Sequence, residues 1–110
     1  MTNTNQQKQP SRDEINLAKV LQALSDQVRL QIVLKLANES EIQCGCFGLD
    51  IPKSSLSHHF KVLRESGVVT TRREGKELFN SLRMDDLEAR FPGVVRAVIE
   101  ASRNAGISQK

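Results

Sequence analysis

Residues 54–69, SSLSHHFKVLRESGVV, place Ser54, Ser55 and Ser57 beside two adjacent histidines, His58 and His59. Hydroxyl and imidazole groups can ligate a metal, take part in catalysis or hydrogen-bond another macromolecule. Neighbouring residues on a helix point about 100° apart, so the two histidines are poorly placed to share one ion. The sequence also shows no activated nucleophile, glycine-rich phosphate loop or paired carboxylates that could form a catalytic pocket. Recognition of a macromolecule is therefore the favoured chemistry, and no enzymatic activity is predicted.

The distribution of charge points to a polyanionic partner. The chain of 110 residues has a net charge of +3. Residues 53–76 alone contain six cations and two anions, a net charge of +4 in 24 residues, so the remainder is close to neutral. Such focusing of positive charge is what phosphate binding requires. The plain alternatives are a solvated basic face and serines that only cap a helix. The six cations are Lys53, Lys61, Arg64, Arg72, Arg73 and Lys76.

Cys44 and Cys46 are the second chemically distinctive feature. Two cysteines so close together are not the disulfide framework of a secreted domain, so reduced thiols are expected. A bond between them would close a small, strained ring, and two thiolates bind a soft ion only when a further donor completes the site. Three roles stay open: structural or inert thiols, a redox or electrophile switch, and a soft metal or metalloid site.

Local signals predict the elements that position these residues. The S-x-x-E capping box at Ser11 predicts a first helix to about Leu24, and Ser25-Asp26 caps a second helix to about Ala37. Residues 42–51 have room for one short helical turn at most. Next come a helix from Ser54 that stops at Gly67, a hairpin over residues 68–82, and a helical region from Asp85 that is interrupted at Pro92-Gly93.

This order of elements is the plan of a winged helix-turn-helix, a mainly α fold with a β-hairpin wing. In the helix from Ser54, the residues Leu56, Phe60 and Leu63 recur at helical spacing and should face the core. Short hydroxyl residues and His58 then face outward, where they can approach phosphates and base edges. One domain is predicted over residues 11–103, with flexible tails at 1–10 and 104–110.

At this point the sequence resembles a known family. Residues 23–32 (ALSDQVRLQI), the pattern S-x-x-S-H-H-x-x-x-L-R-E-x-G over residues 54–67, and RREGK at 72–76 are similar to the ArsR/SmtB family of bacterial winged-helix repressors. The resemblance covers about residues 12–103. It implies a homodimer built from the first and last helices, one recognition helix for each DNA half-site, and release of DNA when an effector binds. By resemblance, Lys53, Ser54, Ser57 and His58 match the recognition-helix contacts.

Two candidate surfaces follow from the pattern and the resemblance together. The predicted DNA-binding residues are Lys53, Ser54, Ser55, Ser57, His58, Lys61, Arg64, Arg72, Arg73 and Lys76. His59, beside Phe60, is expected to be a packed or hydrogen-bonded structural histidine. The apolar stripes of the terminal helices exceed what one core contact needs, which agrees with a dimer. The predicted dimer-interface residues are Ile15, Ala18, Val94, Val95, Val98 and Ile99.

The resemblance bears on the effector as well. Cys44-Gly45-Cys46 is similar to the C-x-C of arsenic-sensing members, but Leu49 stands where a third thiolate is expected, and the segment leading to Ser57 is shorter than in those proteins. Residues 85–103 contain no histidine, which argues against a metal site on the last helix. A soft metal or metalloid is thus one possible effector, and no cofactor is otherwise predicted.

These features predict a transcriptional regulator, most simply a repressor that binds double-stranded DNA with an inverted-repeat operator. No apolar run approaches the roughly 18–20 residues that cross a bilayer, and the N-terminus lacks the layout of a secretion signal, so a cytoplasmic protein with no membrane partner is expected. The alternative is a winged-helix module that binds an acidic protein or RNA.

Overall fold

The computed structural model describes residues 9–43, 45 and 47–106. The predicted winged helix-turn-helix is confirmed: helices pack with a three-stranded antiparallel sheet of order β1-β3-β2. The helices are α1 (Leu17–Ala23), α2 (Gln27–Asn38), α3 (Lys53–Ser66), α4 (Met84–Arg90) and α5 (Val94–Asn104). The strands are β1 (Ile42–Gln43), β2 (Val69–Glu74) and β3 (Glu77–Leu82).

The predicted continuous helix from Ser11 to Leu24 is wrong. The Ser11 N–H does donate to Glu14 Oε1 at 2.8 Å, as the capping box predicts, but only a 3-10 turn follows at Arg12–Glu14. Ile15 is then extended, with φ −69° and ψ 128°, and its side chain is 1% exposed. Burial of Ile15 therefore outweighs helix propensity and breaks the element. Helix α1 starts afresh behind Asn16, whose side chain accepts from Lys19 N–H at 3.1 Å.

The beginning of the described chain is tied to the sheet. The Gln9 carboxamide accepts from Thr71 N–H at 3.1 Å and from Thr70 Oγ1 at 2.7 Å, on the free edge of β2. The sequence predicts a flexible tail over residues 1–10. In the structure, Gln9 of this segment contacts strand β2. Residues 1–8 and 107–110 of the two predicted tails lie outside the described residues.

The hairpin is confirmed, and a third strand joins it. Strand β2 pairs with β3 in the register Val69↔Leu82 to Glu74↔Glu77, and Gly75 turns the chain with a φ of 63°. Strand β1 pairs with β3 through Ile42↔Asn80. The sequence predicts at most a helical turn there, because two residues are too few to show strand periodicity.

Packing of the core holds α3 against the rest of the domain. Phe60 and Leu63 are buried as predicted, and the Phe60 ring meets Phe47 edge-on with 4.9 Å between ring centroids. Leu56 is half-buried and packs against the same core. One face of α3 is thereby fixed, which leaves the opposite face presented to solvent.

Gly67 ends α3 in the predicted left-handed conformation. Because it has no side chain, it also leaves room for the side chain of Ile15. Its φ is 89°, and a Cβ built there would lie 2.6 Å from Ile15 Cγ1. Gly67→Ala should therefore lower the free energy of unfolding by about 1–2 kcal/mol for the backbone and at least about 1 kcal/mol more for overpacking. Urea denaturation measures this loss.

Gly93→Ala is the matched control for this substitution, because Gly93 has a φ of 83° and no atom within 4 Å of a built Cβ. We expect Gly93→Ala to lose the backbone contribution only. Equal losses in the two variants would contradict the packing role that we give to Gly67 and Ile15.

Candidate nucleic-acid interface

The exposed face of α3 gathers the polar residues predicted to read DNA. Because the apolar face of the helix is buried, these side chains all project outward from a fixed element. The exposed residues of this face are Lys53, Ser54, Ser55, Ser57, His58 and Lys61. Arg64 differs from them: it is half-buried near the end of the helix and takes part in an interaction within the chain.

The first turn of α3 is suited to an anion. Pro52 occupies the N-cap position and contributes no side-chain hydrogen bond, so Ser54 is not the cap, and its hydroxyl is not used to begin the helix. No acidic residue lies in this turn. The helix dipole places partial positive charge at the same end, next to Lys53. The start of α3 can therefore accept phosphate oxygens.

Arg72 on the wing is already engaged by carboxylates. Its guanidinium donates to both oxygens of Glu41 at 2.7 and 2.9 Å and to Glu74 Oε1 at 2.7 Å. It also lies over the Phe79 ring, 4.8 Å from the centroid. The hydrogen bond from Arg72 lowers the pKa of Glu41, so this carboxylate is charged at neutral pH. Arg72 thus braces the hairpin against the segment before β1.

The two other wing cations are placed differently. Arg73 and Lys76 flank the turn at Gly75 and are exposed. Neither has an ion-pair partner among the described residues. Together with Lys53 and Lys61 of α3, they leave four uncompensated cations on one helix and one hairpin, which is a smaller set than the sequence predicted.

His59 is the structural histidine that the sequence predicts. Its side chain is 15% exposed, and Nδ1 lies 3.2 Å from Arg29 Nη1 and 3.8 Å from Asp26 Oδ2. Burial lowers the pKa of His59, and the neighbouring Asp26 carboxylate partly opposes this effect. His58, one residue earlier, is exposed and can reach a ligand outside the domain.

The predicted dimer face needs correction. Ile15, Val95 and Ile99 are buried within a single chain, so their side chains fill its own core. Ala18 is exposed, whereas Val94 and Val98 are half-buried at the surface. Leu17 and Leu21 of α1, which are not among the predicted interface residues, are 40% and 45% exposed. The sequence patterns did not indicate the helix break before Asn16. Because α1 starts afresh after this break, Leu17 and Leu21 face outward.

Cys44 and Cys46, the predicted effector residues, lie outside the described residues. Leu49, at the position of the expected third thiolate, packs against the core. Within residues 9–43, 45 and 47–106, no three His, Cys, Asp or Glu side chains come together as a metal site would need. None of the helices in that part of the chain has the length and apolar character needed to span a bilayer.

A core-anchored helix with a polar outer face, next to a basic hairpin, defines a winged helix-turn-helix protein of the kind that binds DNA. A model of "Bacterial regulatory protein, arsR family" matches residues 26–71. The transcriptional regulator YceK of Bacillus subtilis is 37% identical over 91 residues, which are 80% of this chain and 90% of YceK. The chain therefore belongs to the arsR family of bacterial regulatory proteins.

Two further comparisons agree with this assignment. The cadmium resistance transcriptional regulatory protein CadC homolog of Staphylococcus aureus is 38% identical over 74 residues, which are 64% of this chain and 60% of that protein. The crystal structure of the transcriptional repressor BigR from Xylella fastidiosa superposes with a TM-score of 0.63 and 34% identity, covering 84% of this chain and 88% of BigR. These relatives are transcriptional regulators and not enzymes.

Proposed function

We propose that this chain is a repressor that binds an inverted-repeat operator as a homodimer and acts in the cytoplasm. The outer face of α3 enters the major groove, where Ser57 and His58 meet base edges, while Lys53 and Lys61 meet phosphates. The turn between β2 and β3 lies along the adjacent minor groove with Arg73 and Lys76. The observation that carries this proposal is the set of four uncompensated cations beside a helix fixed by its buried face.

The proposed dimer contact is the outer face of α1. Leu17, Ala18 and Leu21 form an exposed apolar patch on a short helix. Val94 and Val98 on α5 extend the same kind of surface. Exposed leucines of this kind are typical of an interface. By twofold symmetry, the same patch on each subunit would present one α3 to each half-site.

We further propose that an effector releases the DNA, with Cys44 and Cys46 as the candidates for its site. A soft metal or metalloid bound by the thiolates and oxidation of the thiols are the two chemistries that cysteine offers here. Arsenite, Cd(II), Cu(I) and an oxidant should each be titrated into the reduced protein on its operator. A Cys44→Ser/Cys46→Ser variant that keeps the wild-type response to the active compound would exclude both thiol chemistries.

Selection from a random pool of duplexes tests the proposed function. The expected product is a palindromic sequence whose half-sites are about 10–10.5 base pairs, or a multiple of this, from centre to centre. Single-stranded RNA and acidic peptides should compete only weakly for the selected duplex. Recovery of no preferred duplex, together with tight binding of RNA or an acidic peptide, would contradict the proposal.

A further inference from the structure

One guanidinium lies at the junction of three helices. Arg29, in the first turn of α2, donates from Nε to the carbonyl oxygen of Ala23, the last residue of α1, at 2.6 Å. Its Nη1 lies 3.2 Å from Nδ1 of His59 in the middle of α3. Its backbone N–H is capped by Asp26 Oδ2 at 3.1 Å. This one side chain therefore bridges α1 and α3, in addition to the direct packing of the two helices.

The chemistry of the contact fixes the protonation state of His59. Arginine has donors only, so Nδ1 must accept, and the ring is neutral with its proton on Nε2. Asp26 is 3.8 Å from Nδ1, beyond hydrogen-bonding distance, so the carboxylate does not compete for that nitrogen. The interaction with Arg29 is therefore made by the uncharged imidazole.

The charged groups around this ring are few. Asp26 and Arg29 face it from α2, and His58 precedes it on α3. Lys19 of α1 and Glu65 of α3 line the cavity beside Arg29 and His58. Burial, Arg29 and His58 favour the neutral ring, and Asp26 favours the charged one. A proton on His59 would place two cations in contact at the helix junction.

We propose that Arg29 and neutral His59 form a positioning pair that sets the orientation of α3 on α1, so that operator binding requires His59 to be unprotonated. This inference rests on the proposed function. It adds a residue pair that touches no DNA, and it joins the helix with the proposed dimer patch to the helix that reads the operator. Protonation breaks the pair, and the affinity for DNA falls as the pH is lowered.

The neighbouring His58 is exposed on the proposed DNA-facing surface, so its own contribution to binding must be separated from that of His59. A His58→Gln background removes that contribution. In this background, the protein with His59 should be compared with two variants. His59→Asn keeps a hydrogen-bond acceptor near the position of Nδ1 but does not titrate. His59→Leu keeps much of the size of the side chain but has no acceptor.

The experiment is the affinity of these three proteins for the selected operator from pH 8 to pH 5.5 at constant ionic strength, with circular dichroism to confirm the fold. The protein with His59 should lose affinity on acidification to pH 5.5, by less than about tenfold, because the pKa of its imidazole lies below the ordinary value of 6.5 and the ring is only partly protonated at that pH. His59→Asn should bind with an affinity that does not change with pH. His59→Leu should bind roughly tenfold more weakly than the His59 protein at pH 8.

Arg29→Lys provides a second test of the same pair. Lysine keeps the charge but cannot reach the Ala23 carbonyl and His59 Nδ1 together, because it lacks the planar fork of arginine. We expect a folded protein with weakened operator binding and a reduced dependence on pH.

Several outcomes would overturn the inference. If His59→Asn keeps the pH dependence, or if His59→Leu binds like its parent at pH 8, the pair does not position α3. An affinity that rises on acidification in the His58→Gln background would show that a charged His59 pairs with Asp26 instead. Absence of operator binding in every protein, wild type included, would overturn the proposed function and the inference with it, whereas the other outcomes overturn the inference alone.

Discussion

Leu21→Glu is expected to dissociate the proposed dimer and to weaken operator binding. Leu21 is 45% exposed on α1, so a carboxylate there does not disturb the core of one subunit. In the proposed dimer, the twofold symmetry would bury one such carboxylate from each subunit. Full burial of an exposed leucine contributes about 1.5–3 kcal/mol, and the 45% of Leu21 that is exposed accounts for about half of this in each copy, so loss of both should weaken operator binding by at least about tenfold. Sedimentation velocity and fluorescence anisotropy of labelled operator measure the two effects.

Gln27→Glu is the matched control for Leu21→Glu. It adds a carboxylate at an exposed position in the first turn of α2, away from the proposed patch. Acidic residues are favoured near a helix N-terminus, so the fold should tolerate it. This variant should stay dimeric. A Leu21→Glu protein that is dimeric and binds the operator normally would show that the subunit contact lies elsewhere.

Arg73→Ala/Lys76→Ala is expected to weaken operator binding far more than Arg72→Ala. The two removed cations have no ion-pair partner among the described residues, whereas Arg72 is held by Glu41 and Glu74. Hydrogen bonds to charged groups contribute about 1.5–3 kcal/mol each, so the double variant should lose roughly a hundredfold or more. The slope of log affinity against log salt should also become shallower by about 1.8.

The control for the double variant must remove the same charge from another surface. Arg96→Ala/Arg103→Ala on α5 does so, since these arginines pair with Glu88 and Glu100. Its salt slope should remain that of the wild type. Arg72→Ala should leave the slope nearly unchanged and instead loosen the wing, because it frees Glu41 and Glu74. A slope reduced equally in all three variants would indicate that overall charge, and not the wing turn, governs binding.

The central part of the fold was predictable because its signals are local. Asp26 caps α2 through its own side chain, Gly67 ends α3, and the strand residues flank Gly75 at hairpin spacing. Each of these features depends on residues close together in the chain. The polar face of α3 follows from the same local periodicity, so the main surface of the site could be predicted from sequence.

The errors have a common cause in contacts between distant residues. The helix break at Ile15 depends on the close packing of its side chain against Gly67, far along the chain. Glu41 pairs with Arg72 across 31 positions, so the carboxylate beside this wing cation was not predicted. Arg29 meets His59 across 30 positions. Composition and periodicity carry no information about such pairs. The ion pairs of the wing and the side of α1 that is exposed to solvent were therefore not predictable.

The pH dependence of stability offers a check on the Arg29–His59 contact without DNA. The pKa of His59 in the folded chain is below the ordinary value of 6.5, so the unfolded chain binds the proton more readily. The contribution of the neutral ring to stability is therefore fully present above about pH 6.5 and is lost as the pH falls through the lower folded value. His59→Asn should remove this part of the pH profile of unfolding.

The most direct test of the central claim is a titration of the selected operator with the full chain, monitored by anisotropy at several salt concentrations. We predict two subunits for each inverted repeat. If six to ten phosphates are contacted, the affinity should fall by about 10³–10⁵ between 50 and 200 mM salt. Binding of one subunit per inverted repeat, or an affinity that does not change with salt, would contradict the proposal that a dimer binds DNA through α3 and the wing.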